Sequence, residues 1–224
     1  MLPLKNFPKT CNKNTVEEKL FGRIADDIEK RGYSIQHGAL PNDVASALYS
    51  YQQDLSDKRF SNAGVGRGEY FANKELVRTD RICWIYGESD ADREWIEWAT
   101  RLQRFLNQRL FLGLFSFESH FAHYSPGAYY KKHYDAFRGE ANRILSVVAY
   151  LNPSWTSTDG GELVLYTNEY DREGLKVVPL LGTFVVFLSE QFAHEVLPAS
   201  KDRHSVAGWF RVNTSTNNKI DPPQ

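Results

Sequence analysis

The chain has 224 residues, of which 42% are hydrophobic and 25% are charged, as in an ordinary globular domain with a substantial core. Its formal net charge of -1 provides no overall attraction to nucleic acid or to an acidic membrane surface. Two cysteines, Cys11 and Cys83, are too few for a disulfide framework. The sequence shows neither a signal-peptide pattern nor an apolar stretch long enough to cross a bilayer, so we expect a cytoplasmic protein with free thiols.

Three helices are predicted in the first half of the chain. The first begins at a capping box, Thr15-Val-Glu-Glu18, and ends near Gly32. Its predicted apolar face consists of Val16, Leu20, Ile24 and Ile28. A second helix follows Pro41, and a third runs from about Asp90 to Leu112.

Residues 57–76 lie between the second and third helices and are predicted to form a mobile loop. The segment contains Gly64-Val-Gly-Arg-Gly68 and few large apolar side chains. A phosphate-binding loop needs a preceding strand, a following helix and a Lys-Ser/Thr pair, and this segment has none of them. We therefore expect no phosphate site here.

Short strands separated by turn signals dominate the rest of the chain. The predicted strands are Arg81–Tyr86, Phe117–Tyr124, Asn142–Leu151, Glu162–Tyr166, Lys176–Leu180, Thr183–Leu188, His194–Val196 and Arg203–Asn213. This pattern predicts a mainly β fold with α-helices, a double-stranded β-helix (jelly roll) with N-terminal helices packed on one sheet. We expect one domain over residues 1–224, with a helical support region at about 15–112, a jelly-roll core at about 115–213 and a flexible tail at 214–224.

The sequence His133-Tyr-Asp135 is the first feature that indicates chemistry. Residues two apart in an extended chain project to the same side, so this imidazole and carboxylate can share one cation. His194 begins a later strand, and a jelly roll brings such distant strands together at one open end. Two histidines and one carboxylate suit Fe(II), Mn(II) or Zn(II), and they form the facial triad of non-haem iron oxygenases.

Arg203 begins the last predicted strand. A guanidinium group matches the distal carboxylate of a co-substrate. If Arg203 points inward, Ser205, Ala207 and Trp209 do so too, and their small or flat side chains leave room for a cavity. An exposed arginine at the start of a strand is the alternative, and the pattern alone favours neither.

Two tyrosines and two further histidines complete the set of candidate residues. Tyr150 and Tyr124 can face the same cavity as Arg203, although each can also be an ordinary packed aromatic residue. His120 and His123 are a rival metal pair, but residues three apart on a strand face opposite sides of a sheet. We therefore expect these two histidines to be structural or solvated.

Taken in order, these motifs resemble the prolyl 4-hydroxylase branch of the Fe(II)/2-oxoglutarate-dependent oxygenases. They are most similar to the hypoxia-inducible-factor prolyl hydroxylases and their bacterial relatives, including those that modify elongation factor Tu. The matching segments, within roughly residues 75–212, are Val77–Gly87, Tyr124–Gly127, His133–Asp135, Tyr150–Asn152, Gly160–Leu163, His194–Ala199, Arg203 and Trp209-Phe210. The Tyr124–His133 interval is one residue shorter than in the animal enzymes, and the sequence of the 57–76 loop differs from theirs.

The resemblance implies a single catalytic domain that uses Fe(II), 2-oxoglutarate and O₂, with ascorbate keeping the iron reduced. It implies that His133, Asp135 and His194 are the iron ligands. The expected reaction is 4-hydroxylation of a peptidyl proline with release of succinate and CO₂. The loop around Gly64–Gly68 matches a mobile lid of the family.

The resemblance also implies residues for the co-substrate and the substrate. Arg203 and Tyr150 match the pair that binds the distal carboxylate of 2-oxoglutarate, and Tyr124 matches a tyrosine near its iron-bound end. Arg143 and Trp209 match residues beside the substrate peptide. The implied partner is a protein or peptide, with elongation factor Tu as one candidate.

Other functions stay open on the sequence alone. The same chemistry could act on another amino-acid side chain, a small molecule or an alkylated base, although the balanced charge disfavours nucleic acid. A non-catalytic jelly-roll binding module would be expected to have lost metal ligands. A Zn or Mn isomerase of the cupin type would use more histidines and leave Arg203 without a role. No membrane partner is expected, and the sequence carries no signal for an oligomeric state.

Overall fold

The computed structural model describes residues 13–63, 77–136 and 142–213. The helices are α1 (Lys13–Arg31), α2 (Asn42–Asp54) and α3 (Asp90–Leu110). The strands are β1 (Tyr33–Gln36), β2 (Ser61–Asn62), β3 (Arg81–Trp84), β4 (Ser116–Tyr124), β5 (Tyr130–His133), β6 (Arg143–Tyr150), β7 (Leu163–Tyr166), β8 (Leu175–Val177), β9 (Phe184–Leu188), β10 (Ala193–Val196) and β11 (Arg203–Arg211). These elements confirm the predicted mainly β fold with helices.

Two antiparallel sheets face each other in the strand-rich part of the chain. The larger sheet has the strand order β1-β9-β6-β11-β4-β3-β2, and the smaller has the order β5-β10-β7-β8. Because side chains alternate between the faces of a strand, one face of the larger sheet meets the smaller sheet and the other meets the helices. Leu163, Leu165, Val185 and Phe187 belong to the apolar cluster between the two sheets.

The helices cover the outer face of the larger sheet through a cluster of aromatic rings. Trp95 and Trp98 of α3 are both fully buried, and their rings stack with centroids 5.8 Å apart. Trp98 meets Phe184 of β9 edge-on at 5.0 Å. The indole Nε1 of Trp95 donates a hydrogen bond to Ser119 Oγ at 3.0 Å. These contacts attach α3 to both β9 and β4. Within the described ranges, no helix is long and apolar enough to cross a membrane.

The predicted start of the first helix was wrong. Helix α1 begins at Lys13, so Thr15 lies inside the helix and is not its N-cap. The residues before Thr15 tolerate helical backbone, which lets the helix start earlier. Val16 is 58% exposed, whereas Leu20 and Ile24 are buried as predicted.

Two predicted strands are shorter than expected. Strand β8 covers Leu175–Val177 instead of 176–180, because Pro179 has no N–H with which to extend the ladder. Strand β3 ends at Trp84 instead of residue 86, because the chain turns away at Gly87, which has a φ of 83°.

The sequence analysis missed the short strands β1, β2 and β5. Part of the predicted 57–76 loop is regular, with a 3-10 turn at Asp57–Arg59 and strand β2. The segment Gly64–Gly68, Cys11 and the tail at 214–224 lie outside the described residues.

His204 and His123 stack on the helix side of the larger sheet, with ring centroids 4.8 Å apart. Burial and the neighbouring His123 lower the pKa of His204 from 6.5 to about 4. The unfolded chain therefore binds a proton here at a higher pH than the folded protein does. Consequently the free energy of unfolding falls as the pH drops from 6.5 toward 4.

Replacing His204 by phenylalanine keeps a stacked ring and removes this titration. We expect the pH dependence of the free energy of unfolding between pH 6.5 and 4 to decrease by on the order of 1 kcal/mol in His204→Phe. Urea unfolding of both metal-free proteins across this pH range measures the difference. An unchanged pH dependence in the variant would contradict the prediction.

Candidate metal centre

The structure brings His133, Asp135 and His194 together at one end of the smaller sheet. His133 ends β5, and His194 of β10 is its direct partner in the register. Asp135 lies between them, with its two carboxylate oxygens each 3.6 Å from one imidazole Nε2. Ligand atoms from all three residues lie within 4.8 Å of one another. Neighbouring ligands bound at about 2.1 Å lie about 3 Å apart, so a small contraction closes this set around one ion.

A local hydrogen bond to the backbone turns the Nε2 atom of each histidine toward the centre of the site. The Nδ1 of His133 lies 2.7 Å from the carbonyl oxygen of Lys131. The Nδ1 of His194 lies 3.2 Å from the carbonyl oxygen of Phe192. In each case the carbonyl two residues earlier accepts the Nδ1 proton, which leaves the lone pair on Nε2 for a metal.

The charges of the three groups also match those of metal ligands. Burial alone would raise the pKa of Asp135, but His194, His133 and a 2.6 Å hydrogen bond from Ser146 Oγ hold it well below its usual range. Burial lowers the pKa of His194 to about 4. At neutral pH the site therefore offers an ionised carboxylate and a neutral imidazole, the forms that bind metal ions.

Arg203 is the buried cation of the same cleft, with only 1% of its surface exposed. Its Nε donates to the carbonyl oxygen of Gly161 at 2.8 Å, and its Nη1 donates to Ser205 Oγ at 3.3 Å. Among the described residues, no carboxylate forms an ion pair with it. Because a buried charge without a counter-charge is costly, this guanidinium fits an anionic ligand.

Tyr150 and Tyr124 face Arg203 from the two neighbouring strands. Their rings lie 5.2 Å and 4.9 Å from its guanidinium carbon. The Tyr150 hydroxyl is buried, and the described structure offers no acceptor for its proton, although Arg203 lies close enough to interact with its oxygen. Burial raises the pKa of Tyr150 to about 12, so the hydroxyl stays protonated and can donate. An unpaired cation beside an unpartnered donor fits a carboxylate group.

Strand β6 joins this anion site to the metal centre. Ser146, which contacts Asp135, and Tyr150 lie on the same face of β6, about 13 Å apart along the strand. Both therefore line one cleft between the sheets.

Gly161 closes the wall behind Arg203. It has a φ of 72°, and a Cβ there would lie 3.2 Å from Arg203 Cδ and 2.9 Å from Ala199 Cβ. We expect Gly161→Ala to displace the guanidinium and weaken binding of a five-carbon dicarboxylate such as 2-oxoglutarate by about 10-fold, since misplaced groups lose much of their interaction. Isothermal titration calorimetry measures this, with Gly38→Ala as the control because a Cβ at Gly38 meets no atom within 4 Å. Equal affinities in Gly161→Ala and wild type would contradict it.

Arg143 and Trp209 lie close to the metal centre, since Trp209 of β11 is the register partner of Ser146 on β6. The guanidinium of Arg143 stacks 3.7 Å above the Trp209 ring and donates two hydrogen bonds to Glu118 Oε1. Trp84 and His120 extend the ring surface beside Trp209. A cavity of about 300 Å³ lined by Trp84 and Glu118 opens next to this platform. The platform therefore combines a flat aromatic surface with an arginine whose carboxylate partner, Glu118, also pairs with Arg211.

His120 and His123 do lie on opposite faces of β4, because His120 meets Trp209 and His123 stacks on His204. Three functional contacts escaped the sequence analysis: Ser146 on Asp135, Glu118 on Arg143, and Tyr130 stacked on His133. Side chains alternate along a strand, so Ser146 shares a face with Tyr150, but no sequence signal indicated its partner.

Comparisons with known proteins agree with this geometry. A family model described as the 2OG-Fe(II) oxygenase superfamily matches residues 119–211. A prolyl-4-hydroxylase from Pseudomonas putida is 37% identical, with a TM-score of 0.74 over 86% of this chain and 98% of that chain. A prolyl hydroxylase from Trichoplax adhaerens, in complex with a hypoxia-inducible-factor peptide, is 26% identical. It matches with a TM-score of 0.77 over 91% of this chain and 94% of that chain. A viral collagen prolyl hydroxylase from Paramecium bursaria Chlorella virus-1 shares the fold at 19% identity. Its TM-score is 0.58 over 82% of this chain and 98% of that chain.

Proposed function

Because this chain belongs to the 2OG-Fe(II) oxygenase superfamily, whose members use Fe(II), 2-oxoglutarate and O₂, we propose that it 4-hydroxylates a proline residue of a protein or peptide. The proposal rests on one observation: the same cleft contains a set of potential metal ligands and a buried cation that has no anionic partner among the described residues. One is the His133, Asp135 and His194 set with its Nε2 atoms turned inward. The other is the buried Arg203, which lacks a carboxylate among the described residues.

These residues divide the work of the reaction. His133, Asp135 and His194 would hold the metal ion through two imidazoles and one carboxylate, a ligand set that suits Fe(II). Arg203 and Tyr150 bind and orient the distal carboxylate of 2-oxoglutarate. When bound, iron and 2-oxoglutarate together supply the O₂-activating chemistry, which yields succinate, CO₂ and a hydroxylated C–H position.

The remaining side chains keep the cleft dry and place the polypeptide. Tyr124 is 4% exposed, and burial raises the pKa of its hydroxyl above the usual range, so it forms a neutral wall next to Arg203. Trp209 and Arg143 offer the stacked platform on which the substrate chain rests. Glu118 accepts hydrogen bonds from both Arg143 and Arg211 and so fixes the position of Arg143. The flat face of Trp209 suits a polypeptide segment that contains proline.

The relatives support a protein substrate. The Trichoplax adhaerens structure holds a peptide fragment, and the Pseudomonas putida enzyme is named as a prolyl-4-hydroxylase. The motifs also resemble bacterial enzymes that modify elongation factor Tu. We therefore propose elongation factor Tu as the first protein to test.

The test is turnover of 2-oxoglutarate by the purified chain with Fe(II) under air. We expect succinate formation to rise when elongation factor Tu or a proline-containing peptide is added. Tandem mass spectrometry should locate one added oxygen atom on a proline, at C4. Oxygen on another side chain would overturn the proline assignment, and absence of both coupled and uncoupled succinate formation would overturn the enzymatic function.

A further inference from the structure

We propose that Asp80, Arg78 and Tyr130 hold the imidazole of His133 in its metal-binding orientation and thus act as positioning residues for the metal centre. We call these three side chains the Arg78 stack. The inference deepens the proposed function and rests on the ligand role of His133. None of the three side chains belongs to the ligand set itself.

The Arg78 stack begins at a buried, two-pronged ion pair. Arg78 Nε lies 2.7 Å from Asp80 Oδ1, and Arg78 Nη2 lies 2.5 Å from Asp80 Oδ2. The side chain of Arg78 is 10% exposed and that of Asp80 is fully buried. Two parallel hydrogen bonds fix the plane of a guanidinium group as well as its position. Arg78 is therefore oriented before it meets any aromatic ring.

The ordered guanidinium then lies against two rings in succession. Its central carbon is 4.2 Å from the centroid of the Tyr130 ring. The Tyr130 ring stacks on the His133 imidazole with centroids 3.5 Å apart and planes inclined by 14°. Cation–ring attraction holds Tyr130 in place. The nearly parallel stack in turn prevents the imidazole from tilting out of its plane.

The backbone of residues 77–80 reinforces this arrangement. The N–H of Thr79 donates to the carbonyl oxygen of Tyr129 at 3.0 Å, and the N–H of Lys131 donates to that of Val77 at 2.8 Å. Arg78 and Tyr130 form a β-bridge. This segment therefore pairs with β5 on the side opposite β10.

His133 needs this support more than His194 does. Strand β5 is four residues long, is at the edge of its sheet, and has an irregular register with β10. His194 lies on β10 between two strands and also packs against the Phe187 ring at 4.7 Å. Its side chain is 7% exposed, compared with 14% for His133. The Arg78 stack supplies the wall that the sheet does not give to His133.

The proposal predicts that the ring of Tyr130 matters for metal affinity and that its hydroxyl does not. We expect Tyr130→Leu to weaken Mn(II) binding about 10-fold, as loss of an outer-shell partner does, and Tyr130→Phe to restore affinity to within about 2-fold. Arg78→Met should weaken it about 3- to 10-fold. The readout is the electron paramagnetic resonance signal of free Mn(II) in titrations of metal-free protein, which requires no turnover. The ligand-field spectrum of the Co(II) form should change in Tyr130→Leu and not in Tyr130→Phe.

Two controls separate positioning from general damage. Arg101→Met removes an equivalent two-pronged pair, with Glu17, on the surface of α3, and should leave Mn(II) affinity unchanged. The double variant Arg78→Met/Asp80→Asn avoids an unpaired buried carboxylate, so it should fold and still bind Mn(II) as weakly as Arg78→Met. Thermal unfolding of the metal-free proteins verifies folding.

The outcomes distinguish this proposal from the proposed function. If wild type binds no Mn(II), the assigned ligand set is wrong. If wild type binds Mn(II) and a folded Tyr130→Leu protein binds it equally well with an unchanged Co(II) spectrum, the positioning role is overturned while the ligand set stands. Equal weakening by Tyr130→Leu and Tyr130→Phe would overturn it as well, because the hydroxyl and not the stacked ring would then matter.

Discussion

Asp135→Asn is expected to abolish succinate formation and to weaken metal binding by more than about 100-fold. Loss of an outer-shell partner weakens metal binding by about 10- to 100-fold, and loss of a direct ligand should weaken it more. The side chain keeps its shape, so the packing around it changes little. Its negative charge is lost, and Asp135 is the only carboxylate in the one ligand cluster found among the described residues. A neutral amide between two neutral imidazoles cannot balance a divalent cation. Mn(II) titration and 2-oxoglutarate turnover measure both effects.

Asp202 provides a matched control for this substitution. It accepts a hydrogen bond from His123 Nε2 at 2.7 Å, so it is also a carboxylate paired with a histidine. It lies at the exposed start of β11, on the far side of the larger sheet. We expect Asp202→Asn to retain metal binding and turnover. Retention of metal by Asp135→Asn at wild-type affinity would remove Asp135 from the ligand set.

Arg203→Met is expected to weaken 2-oxoglutarate binding by about 100-fold or more, the cost of removing one partner from a buried charge pair. Mn(II) binding should stay at the wild-type level, because Arg203 does not touch the metal ligands. Asp135→Asn and Arg203→Met therefore distinguish the metal-binding part of the site from the part that binds the carboxylate of 2-oxoglutarate. Calorimetric titration of 2-oxoglutarate into the Mn(II) form measures the loss.

The stability of the Arg203 variant provides an independent check. Arg203→Met removes a buried charge that is unpaired among the described residues, and it also removes the hydrogen bonds of Arg203 to Gly161 and Ser205. These opposing effects should change the free energy of unfolding by less than about 1 kcal/mol. Added 2-oxoglutarate should raise the melting temperature of the wild type and not that of Arg203→Met. Arg203→Lys keeps the charge without the fork and should recover part of the affinity. A thermal shift of wild-type size in Arg203→Met would contradict the proposed anchor.

Local patterns determined much of this protein. The period of two along β11 placed Arg203, Ser205 and Trp209 on one face, because side chains alternate along any extended chain. The same alternation separated His120 from His123. The apolar spacing of α1 anticipated the burial of Leu20, Ile24 and Ile28. These features depend on residues close in sequence, so they could be predicted without the fold.

One prediction failed for a local reason: helix α1 starts before its apparent capping box, and Val16 is exposed although it fits the apolar period. The missed strands instead depend on partners that are distant in sequence. Strands β1, β2 and β5 have too few residues to show a pattern. They exist because β9, β3 and β10 offer them partners. Pairing energy comes from the partner strand, which the local sequence does not reveal.

The metal site shows the same division. The residue types at 133, 135 and 194 indicated a site for Fe(II), Mn(II) or Zn(II). The resemblance to known oxygenases then implied iron, with Arg203 as the anchor of the co-substrate. Only the tertiary structure brought Ser146 to Asp135, Glu118 to Arg143, and the Arg78 stack to His133. The identity of a ligand follows from its chemistry, whereas the partner that orients it is decided by which strands and loops the fold places beside it.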